Sequence, residues 1–160
     1  AYRSKLPVYI RLNKGQDFPF YKKNFDITNG FEEVKKGKDI CVITTGNIIK
    51  NIVNIQKKLL IKSKHIGVID LYQINPIKKA KLIKILKNYS KILTIEENIY
   101  NSGIGSIIAE LILDNDLKIK LKRVALKNEQ CFKYGSVEWL HKSYSIDQKS
   151  LDKTIYDYSK

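Results

Sequence analysis

Two adjacent glutamates, Glu96 and Glu97, are the residues that the sequence places best for acid–base chemistry. They end a short apolar run, and open α/β sheets place their ligands at the carboxyl ends of strands. Paired carboxylates can act as general acid and general base. Consecutive strand residues point to opposite faces, however, so a regular strand cannot bring the two acids together as a dyad. We expect one carboxylate to turn inward and accept hydrogen bonds from backbone N–H groups, and the other to face solvent or an interface.

A glycine-containing segment, Gly103-Ile104-Gly105-Ser106, follows these acids and opens an apolar helical pattern. It matches part of a dinucleotide-binding fingerprint, but the third glycine position is occupied by Ile108. Two interpretations stay open. Free N–H groups at the start of the helix can hold an anion, or the glycines let the chain turn sharply and the helix pack close to the sheet. Ser106 lacks the Gly-x-Ser-x-Gly setting of a nucleophile, so no catalytic triad is predicted.

Two cations, Arg11 and Lys14, stand beside Gly15 at the end of a predicted N-terminal strand. Arg11 would hold a phosphate by its planar fork and Lys14 as a point charge. The alternative is a pair of solvated charges, since the chain has 30 lysines and arginines in all.

A metal site is not predicted. His65 and His141 are the only histidines, and neither has an acidic or Cys neighbour at a recognised ligand spacing. We expect them to serve in packing or helix capping. Cys41 and Cys131 lie far apart and form neither a CxxC pair nor a disulfide framework, and Cys41 falls in an apolar run where a thiol behaves as a small hydrophobe.

The elements that must position these residues alternate between short apolar strands and amphipathic helices. The predicted strands cover residues 7–12, 39–45, 65–71, 91–96 and 118–125, and the predicted helices cover 48–62, 77–88, 104–114, 136–142 and 148–158. Residues 13–36 are expected to form a long connection with little regular structure, and 97–103 a loop. Such alternation implies right-handed βαβ units. The predicted fold is therefore α/β, a three-layer sandwich with a mostly parallel sheet.

Composition limits the possible classes of protein. A chain of 160 residues with 43% hydrophobic content suffices for a compact domain, and the three prolines and eight glycines exclude collagen-like and low-complexity classes. The formal net charge is +14, but only Arg3, Arg11 and Arg123 are arginines and the lysines are spread along the chain. This distribution favours a solvated lysine surface over nucleic-acid binding. No apolar run approaches the ~18 residues of a membrane span, and we expect a cytoplasmic protein without membrane contact.

Six segments, in this order, resemble the C-terminal part of transketolase-type, thiamine-diphosphate-dependent enzymes. They are PVYIRL at 7–12, GKD at 37–39 with Thr45-Gly46, VIDL at 68–71 with Pro76, LTIEE at 93–97, GIGS at 103–106 with Glu110, and Phe132 with YGS at 134–136. The fold expected from this resemblance is that of the transketolase C-terminal domain.

The resemblance also implies a division of the chain and a setting for it. Residues 1–36 would be the last strand of a preceding pyrimidine-binding domain plus a linker, and residues 37–160 the transketolase C-terminal domain. In that family, thiamine diphosphate and Mg lie between the first two domains of paired subunits, so this chain would hold neither and would be inactive alone. A cation after the last strand contacts the sugar phosphate; the matching position is Lys14, with Arg11 beside it.

The function implied is that of an assembly-supporting domain in a transketolase-like enzyme, which transfers two-carbon ketol units between sugars. Its partners would be the upstream thiamine-binding domains or subunit, a second copy in a homodimer, and a sugar phosphate substrate. Deoxyxylulose-phosphate synthase and the beta subunit of 2-oxo acid dehydrogenases share this domain and stay open as alternatives. A basic nucleic-acid-binding module is a further alternative that the charge alone supports.

Overall fold

The computed structural model describes residues 2–11, 20–21, 25–38 and 40–160. Within these ranges the strands are β1 (Glu32–Lys35), β2 (Ile40–Thr44), β3 (Gly67–Asp70), β4 (Lys91–Ile99) and β5 (Lys120–Leu126). The helices are α1 (Ile48–Ile61), α2 (Lys79–Leu86), α3 (Ile104–Asp114), α4 (Val137–Ser143) and α5 (Gln148–Tyr158). Every strand and helix predicted between residues 39 and 158 is present.

The strands form one sheet in the order β1-β3-β2-β4-β5. Strands β2 to β5 are parallel to one another, and β1 pairs with β3 in the antiparallel sense. The central strand β2, with the sequence ICVIT, is buried along its whole length. A continuous apolar run of this kind is typical of a parallel strand that is covered on both faces. The mostly parallel sheet is thereby confirmed.

Helices cover both faces of the sheet. One apolar cluster joins α1 and α5 to the face that carries Val42, Val68 and Leu93. The other joins α2 and α3 to the face that carries Ile43 and Ile92. Strand side chains alternate between the two clusters because successive residues point to opposite sides of a strand. The predicted three-layer sandwich is therefore confirmed.

Strand β1 lies in the stretch that was expected to contain little regular structure, and that expectation is wrong. The sequence pattern does not indicate this strand, because Val34 is its only apolar residue. The other three residues, Glu32, Glu33 and Lys35, are charged. The strand lies at an edge of the sheet and is only half-buried. It therefore does not need the continuous apolar sequence of a strand that is covered on both faces. Charged side chains on an edge also discourage pairing with other chains.

Strand β4 continues to Ile99, beyond the end predicted for it, so part of the expected 97–103 loop is strand. Its pairing with β5 shifts register between Ile95 and Ile99. An irregularity of this type bends the strand and re-aims its side chains. Both Glu96 and Glu97 lie within the shifted stretch.

Residues 7–11 pair with no strand of this sheet, so the strand predicted there is not formed within the described residues. Val8 is 50% exposed and Ile10 57% exposed. An extended segment without a partner leaves its N–H and C=O groups to water and gains no ladder of hydrogen bonds. The last residue of the predicted strand, Leu12, lies outside the described residues. The division into residues 1–36 and 37–160 stays a prediction.

Candidate functional site at the carboxyl edge of the sheet

The carboxyl ends of the parallel strands meet at one edge of the sheet, which we call the carboxyl edge. Asp70 ends β3, Glu96 and Glu97 lie near the end of β4, and Leu126 ends β5. Open α/β sheets bind their ligands at this edge. Three polar arrangements occupy it, and each has a different role.

The first arrangement is a carboxylate that caps α3. Glu96 is 2% exposed; its Oε2 accepts a hydrogen bond from the Ile104 N–H and its Oε1 from the Gly105 N–H, both at 2.9 Å. The next two N–H groups, of Ser106 and Ile107, both bond to the Gly103 carbonyl. The prediction of an inward carboxylate held by backbone N–H groups is confirmed. The anion-binding interpretation of this helix start is wrong, because the chain's own glutamate fills it.

The glycines of this segment are explained by close packing. A Cβ atom on Gly103 would overlap the Glu96 carboxylate. A Cβ on Gly105 would lie 2.8 Å from Cδ of Arg123 and 2.9 Å from Oγ1 of Thr94. Neither contact leaves room for a methyl group. The second interpretation of the glycine-containing segment, close approach of helix and sheet, is confirmed.

The second arrangement pairs Glu97 with His141 of α4 through Oε1 and Nε2. The Glu97 side chain is 24% exposed and that of His141 is 15% exposed. The second glutamate is thus paired within the chain, so the expectation that it faces open solvent is wrong, and its place in an interface stays a prediction. His141 was expected to pack or cap a helix, and it instead contacts a carboxylate 44 positions away. No local pattern in the sequence indicates a pair with that separation.

A groove of about 230 Å³ opens beside this pair. Arg11 lines it together with Glu97, His141, Cys131 and Tyr144, and its remaining walls are apolar: Leu126, Val137, Leu140 and Ile146. The structure therefore brings one of the two predicted phosphate-binding cations to the carboxyl edge. The other, Lys14, lies outside the described residues.

Cys131 lies on this groove with its thiol exposed. The Tyr144 hydroxyl donates a hydrogen bond to its Sγ at 2.9 Å, and Nζ of Lys133 lies 4.9 Å from the centre of the Tyr144 ring. The hydrogen bond from Tyr144, aided by the nearby Lys133, lowers the pKa of the Cys131 thiol. A thiolate is favoured here relative to an ordinary exposed cysteine.

The third arrangement is a buried acid at the end of β3. Asp70 is 4% exposed, and its Oδ2 accepts a hydrogen bond from the Tyr21 hydroxyl at 2.7 Å. Its Oδ1 is buried without a hydrogen-bond partner among the described residues. Burial raises the pKa of Asp70 to about 6, although the bond from Tyr21 opposes the rise. Sequence reasoning missed this pair because Tyr21 lies in a segment without a regular pattern.

The start of α3 leaves no room for a magnesium-bound diphosphate, because the Glu96 carboxylate occupies it. No group of three or more His, Cys, Asp or Glu side chains in the described ranges is arranged to hold a metal ion. The start of α3, where backbone N–H groups would cradle a phosphate, is already filled by Glu96.

Each helix of the described ranges is too short or too polar to span a bilayer.

Several lysines gather at the opposite end of the sheet, around the last turn of α5. Lys64 and Lys91 donate hydrogen bonds to the carbonyls of Ser159 and Tyr158. Lys122 lies 5.6 Å from the centre of the Tyr158 ring. Cations at the carboxyl end of a helix offset the partial negative charge of its unpaired carbonyls. These lysines therefore have a structural role within the chain.

The family model for "Transketolase, C-terminal domain" matches residues 30–151. The chain belongs to this family. The matched region begins just before β1 and ends within α5. It therefore includes the edge strand β1, which the sequence pattern does not indicate. It also contains Glu96, Glu97 and His141, whereas Arg11 and Lys14 precede it.

Two curated relatives illustrate what this transketolase C-terminal domain is similar to. It is 29% identical over 157 residues to the 1-deoxy-D-xylulose-5-phosphate synthase of Clostridium tetani, covering 97% of this chain and 25% of the relative. It is 28% identical over 147 residues to one of the subunits of the apulose-4-phosphate transketolase of Actinobacillus succinogenes, covering 91% of this chain and 47% of the relative. The chain thus spans a quarter to a half of the relatives that it matches.

A solved structure described as "Split gene transketolase, inactive beta4 tetramer" has the same fold. The two superpose with a TM-score of 0.77 at 18% sequence identity, covering 88% of this chain and 46% of that one. At this identity the likeness concerns the fold alone. The expected transketolase C-terminal fold is therefore confirmed.

Proposed function

We propose that this chain is the assembly-supporting C-terminal domain of a thiamine-diphosphate-dependent enzyme that transfers a two-carbon ketol unit between sugars. The observation that carries the proposal is the family match together with the polar groups of the carboxyl edge, most of which are engaged within the chain. Side chains that are engaged in this way stabilise the fold, so we assign this edge a role in assembly and not in catalysis. Residues 1–36 then lead in from the preceding domain, and residues 37–160 form the domain itself.

In this proposal thiamine diphosphate and Mg are held by the upstream domains. The described residues offer no cluster of metal ligands, and Glu96 already fills the helix start that would suit a diphosphate. We accordingly expect the chain alone to be inactive. We also propose that the whole enzyme works in the cytoplasm.

Lys14 and Arg11 are proposed to bind the phosphate of the sugar substrate. The relatives from Clostridium tetani and Actinobacillus succinogenes are both named for a phosphorylated sugar. Arg11 lines the groove of the carboxyl edge, and Lys14 follows it three positions later in the sequence. A guanidinium and an ammonium are both groups that bind a dianionic phosphate.

The proposed partner surface lies on α4 and the loop before it. Phe132 is 86% and Tyr134 96% exposed, and Val137 and Trp139 are also exposed. Large apolar side chains gathered in this way mark an interaction site in a soluble domain. We assign this surface to contacts with the upstream domains and with a second copy in a homodimer.

Synthesis of 1-deoxy-D-xylulose 5-phosphate is the second candidate activity. The name of the Clostridium tetani relative favours it, and a second synthase of that name, from Clostridium beijerinckii, is also 29% identical over 157 residues. The beta subunit of a 2-oxo acid dehydrogenase is the third candidate. All three share the proposed architecture, and they differ in the reaction that the assembled enzyme performs.

Reconstitution tests the proposal and separates these candidates. The chain is mixed with the upstream polypeptide, thiamine diphosphate and Mg, and three reactions are assayed: ketol transfer, deoxyxylulose-phosphate synthesis and oxidative decarboxylation of 2-oxo acids. We expect ketol transfer that depends on both polypeptides. Deoxyxylulose-phosphate synthesis instead would replace the proposed activity by the second candidate. Failure of all three, with both polypeptides folded, would overturn the family-based function.

The nucleic-acid-binding alternative makes a different prediction. Binding through phosphates weakens steeply as salt is added. The lysines around the end of α5 already bond to helix carbonyls, a role that needs no polyanion. We therefore expect no binding of DNA or RNA at low salt in a filter-binding assay.

A further inference from the structure

We propose that the hydrogen bond from Tyr21 to Asp70 fastens an aromatic strap, formed by Phe20, Tyr21 and Phe25, to the carboxyl end of β3. The strap lies in the stretch assigned to the linker that follows a preceding domain. In the assembled enzyme this linker would be fixed to the domain before it enters β1, and would not act as a free tether. That consequence rests on the proposed function, whereas the bond itself lies within the chain.

Ring contacts join the strap to the loop after β3. The rings of Tyr21 and Phe25 stack, with their centres 3.9 Å apart and their planes 11° from parallel. Both meet the Tyr72 ring edge-on, with ring centres 6.2 Å and 5.8 Å apart. Phe20 meets the Tyr21 ring edge-on at 5.0 Å and packs against the apolar cluster of α1 and α5. Aromatic pairs attract one another in these geometries, so the strap has a defined place on the domain.

The Tyr21 hydroxyl extends from the strap to a buried acid. It donates to Oδ2 of Asp70 at 2.7 Å, across 49 positions of the chain. Asp70 is 4% exposed, and its Oδ1 has no hydrogen-bond partner among the described residues. A buried carboxylate with one unpartnered oxygen depends strongly on the donor that its other oxygen has. Loss of the Tyr21 hydroxyl would therefore be costly for the closed strap.

The groups around this bond keep the proton on Tyr21. Burial, the bond to Asp70 and the charges of Asp70 and Glu32 raise the pKa of the Tyr21 hydroxyl. Glu32 lies opposite Asp70 in the register of β1 and β3, and Tyr72 belongs to the loop after β3. Burial raises the pKa of Asp70 to about 6. Near neutral pH a neutral hydroxyl thus donates to a mostly ionised acid, and such a charge-assisted bond is strong.

The strap buries too little surface to stay closed without help. Its three side chains are half-buried. A cavity of about 360 Å³ is lined by the strap and by side chains of β1 and α1, among them Val34 and Val53. Segments with few buried contacts open at a low cost in free energy. The loss of one charge-assisted bond should therefore raise the population of the open strap measurably.

Chymotrypsin tests the bond on the chain itself, because it cleaves after Phe and Tyr and every strap residue is of one of these types. Cleavage tracks the population of the locally open form when opening and closing are fast. Tyr21→Phe removes the hydroxyl and keeps both the ring and the cleavage site. Initial cleavage rates at about pH 7.5, followed by mass spectrometry, should rise about fivefold or more within the strap of this variant.

Other sites and a second variant serve as controls. Tyr9 is 90% exposed and should be cut at the same rate in both proteins. Tyr89 is 5% exposed, so its cleavage reports unfolding of the whole domain and should stay slow. Tyr158→Phe is the matched variant, because it removes a hydroxyl that donates at 2.7 Å to the Lys120 carbonyl at the opposite end of the sheet. It should leave cleavage of the strap unchanged.

The titration of Asp70, followed by nuclear magnetic resonance, gives a readout that a general loss of packing would not produce. Its pKa should rise above about 6 in Tyr21→Phe, because the bond that opposes the effect of burial is removed. In Tyr158→Phe it should keep the parental value. A parent strap that is cut as fast as Tyr9, or a Tyr21→Phe strap that is cut no faster than the parental one, would overturn the inference.

This experiment needs no upstream polypeptide and no substrate. A strap that is open in the parent chain would contradict the role of the bond and leave the ketol-transfer assay to judge the function. An inactive reconstituted enzyme whose strap is protected by the Tyr21 hydroxyl would contradict the function and retain the role of the bond.

Discussion

The carboxylate of Glu96 accepts a hydrogen bond at 2.9 Å from the N–H of Gly105, so β4 caps the first turn of α3 with its own side chain. Its other oxygen accepts from the neighbouring N–H of Ile104. The negative charge lies at the positive end of the helix macrodipole, where it is favourable. This contact joins the carboxyl end of β4 to the helix that follows it and fills the place where a ligand would otherwise bind.

Replacement of Glu96 by Gln should destabilise the fold by about 2–4 kcal/mol, because the charge is lost and the amide group turns an N–H donor toward a backbone donor. Urea unfolding followed by circular dichroism measures the effect. Glu129→Gln, at an exposed surface pair, should change stability by less than about 0.5 kcal/mol. Equal stabilities of Glu96→Gln and the parent chain would contradict the cap.

The glycine at the start of α3 gives a second prediction. Gly103 has an ordinary φ of −83°, so its intolerance of a side chain comes only from the Glu96 carboxylate behind it. Gly46 is the matched control, with φ of +70° and open space where a Cβ would be. We expect Gly103→Ala to cost about 2–4 kcal/mol by overpacking, and Gly46→Ala only about 1 kcal/mol of backbone strain. Thermal or urea unfolding gives the free energy of unfolding of both variants. Equal losses of stability in Gly103→Ala and Gly46→Ala would contradict the packing argument.

Asp70 should make stability depend on pH. Its pKa is raised from the ordinary value to about 6 by burial, so the folded state binds this proton more tightly than the unfolded state does. The stability that the protonated acid provides is complete below about pH 4 and is lost as the pH rises through about 6. Asp70→Asn cannot ionise and keeps an oxygen for the Tyr21 hydroxyl.

We therefore expect Asp70→Asn to be more stable than the parent at pH 7.5, by up to about 3 kcal/mol, and to lose this advantage near pH 4. Urea unfolding of both proteins across that range gives the difference directly. The exposed Asp114→Asn serves as the control and should follow the parent at every pH. A variant that is less stable than the parent at pH 7.5 would show that the ionised acid is satisfied in the fold.

Lys14 provides a prediction for the assembled enzyme. Lys14→Ala should raise the KM for a phosphorylated sugar about tenfold or more if Lys14 binds the substrate phosphate, because one charge-assisted hydrogen bond is then lost. Lys14→Arg should retain most of the affinity, because a guanidinium also binds phosphate. Lys5→Ala, in the exposed N-terminal segment, should leave KM unchanged. Steady-state kinetics with the three variants would dismiss the assignment if Lys14→Ala kept the parental KM.

The sequence predicts the layers of this fold well because each strand and helix carries its own signal. The buried β2 is apolar throughout, and α1 repeats its apolar residues at helical spacing. The edge strand β1 was missed because its charged residues suit an edge and not a core. The extension of β4 was missed because a bulge depends on its neighbour β5.

The carboxyl edge was only partly predictable. The inward turn of Glu96 followed from the alternation of strand residues and the helix start nearby. The contact of Glu97 with His141 joins residues 44 positions apart, and that of Tyr21 with Asp70 joins residues 49 apart. Such contacts are set by how the layers pack, which the order of residues along one element does not reveal.

Sedimentation of the chain with the upstream polypeptide tests the central claim most directly, since assembly is the role assigned to this domain. Analytical ultracentrifugation is performed on each polypeptide alone and on the mixture. We expect one heavier species that contains both, and its loss when Phe132 and Trp139 are replaced by Asp on the exposed apolar surface. Two folded polypeptides that sediment independently in the mixture would contradict it.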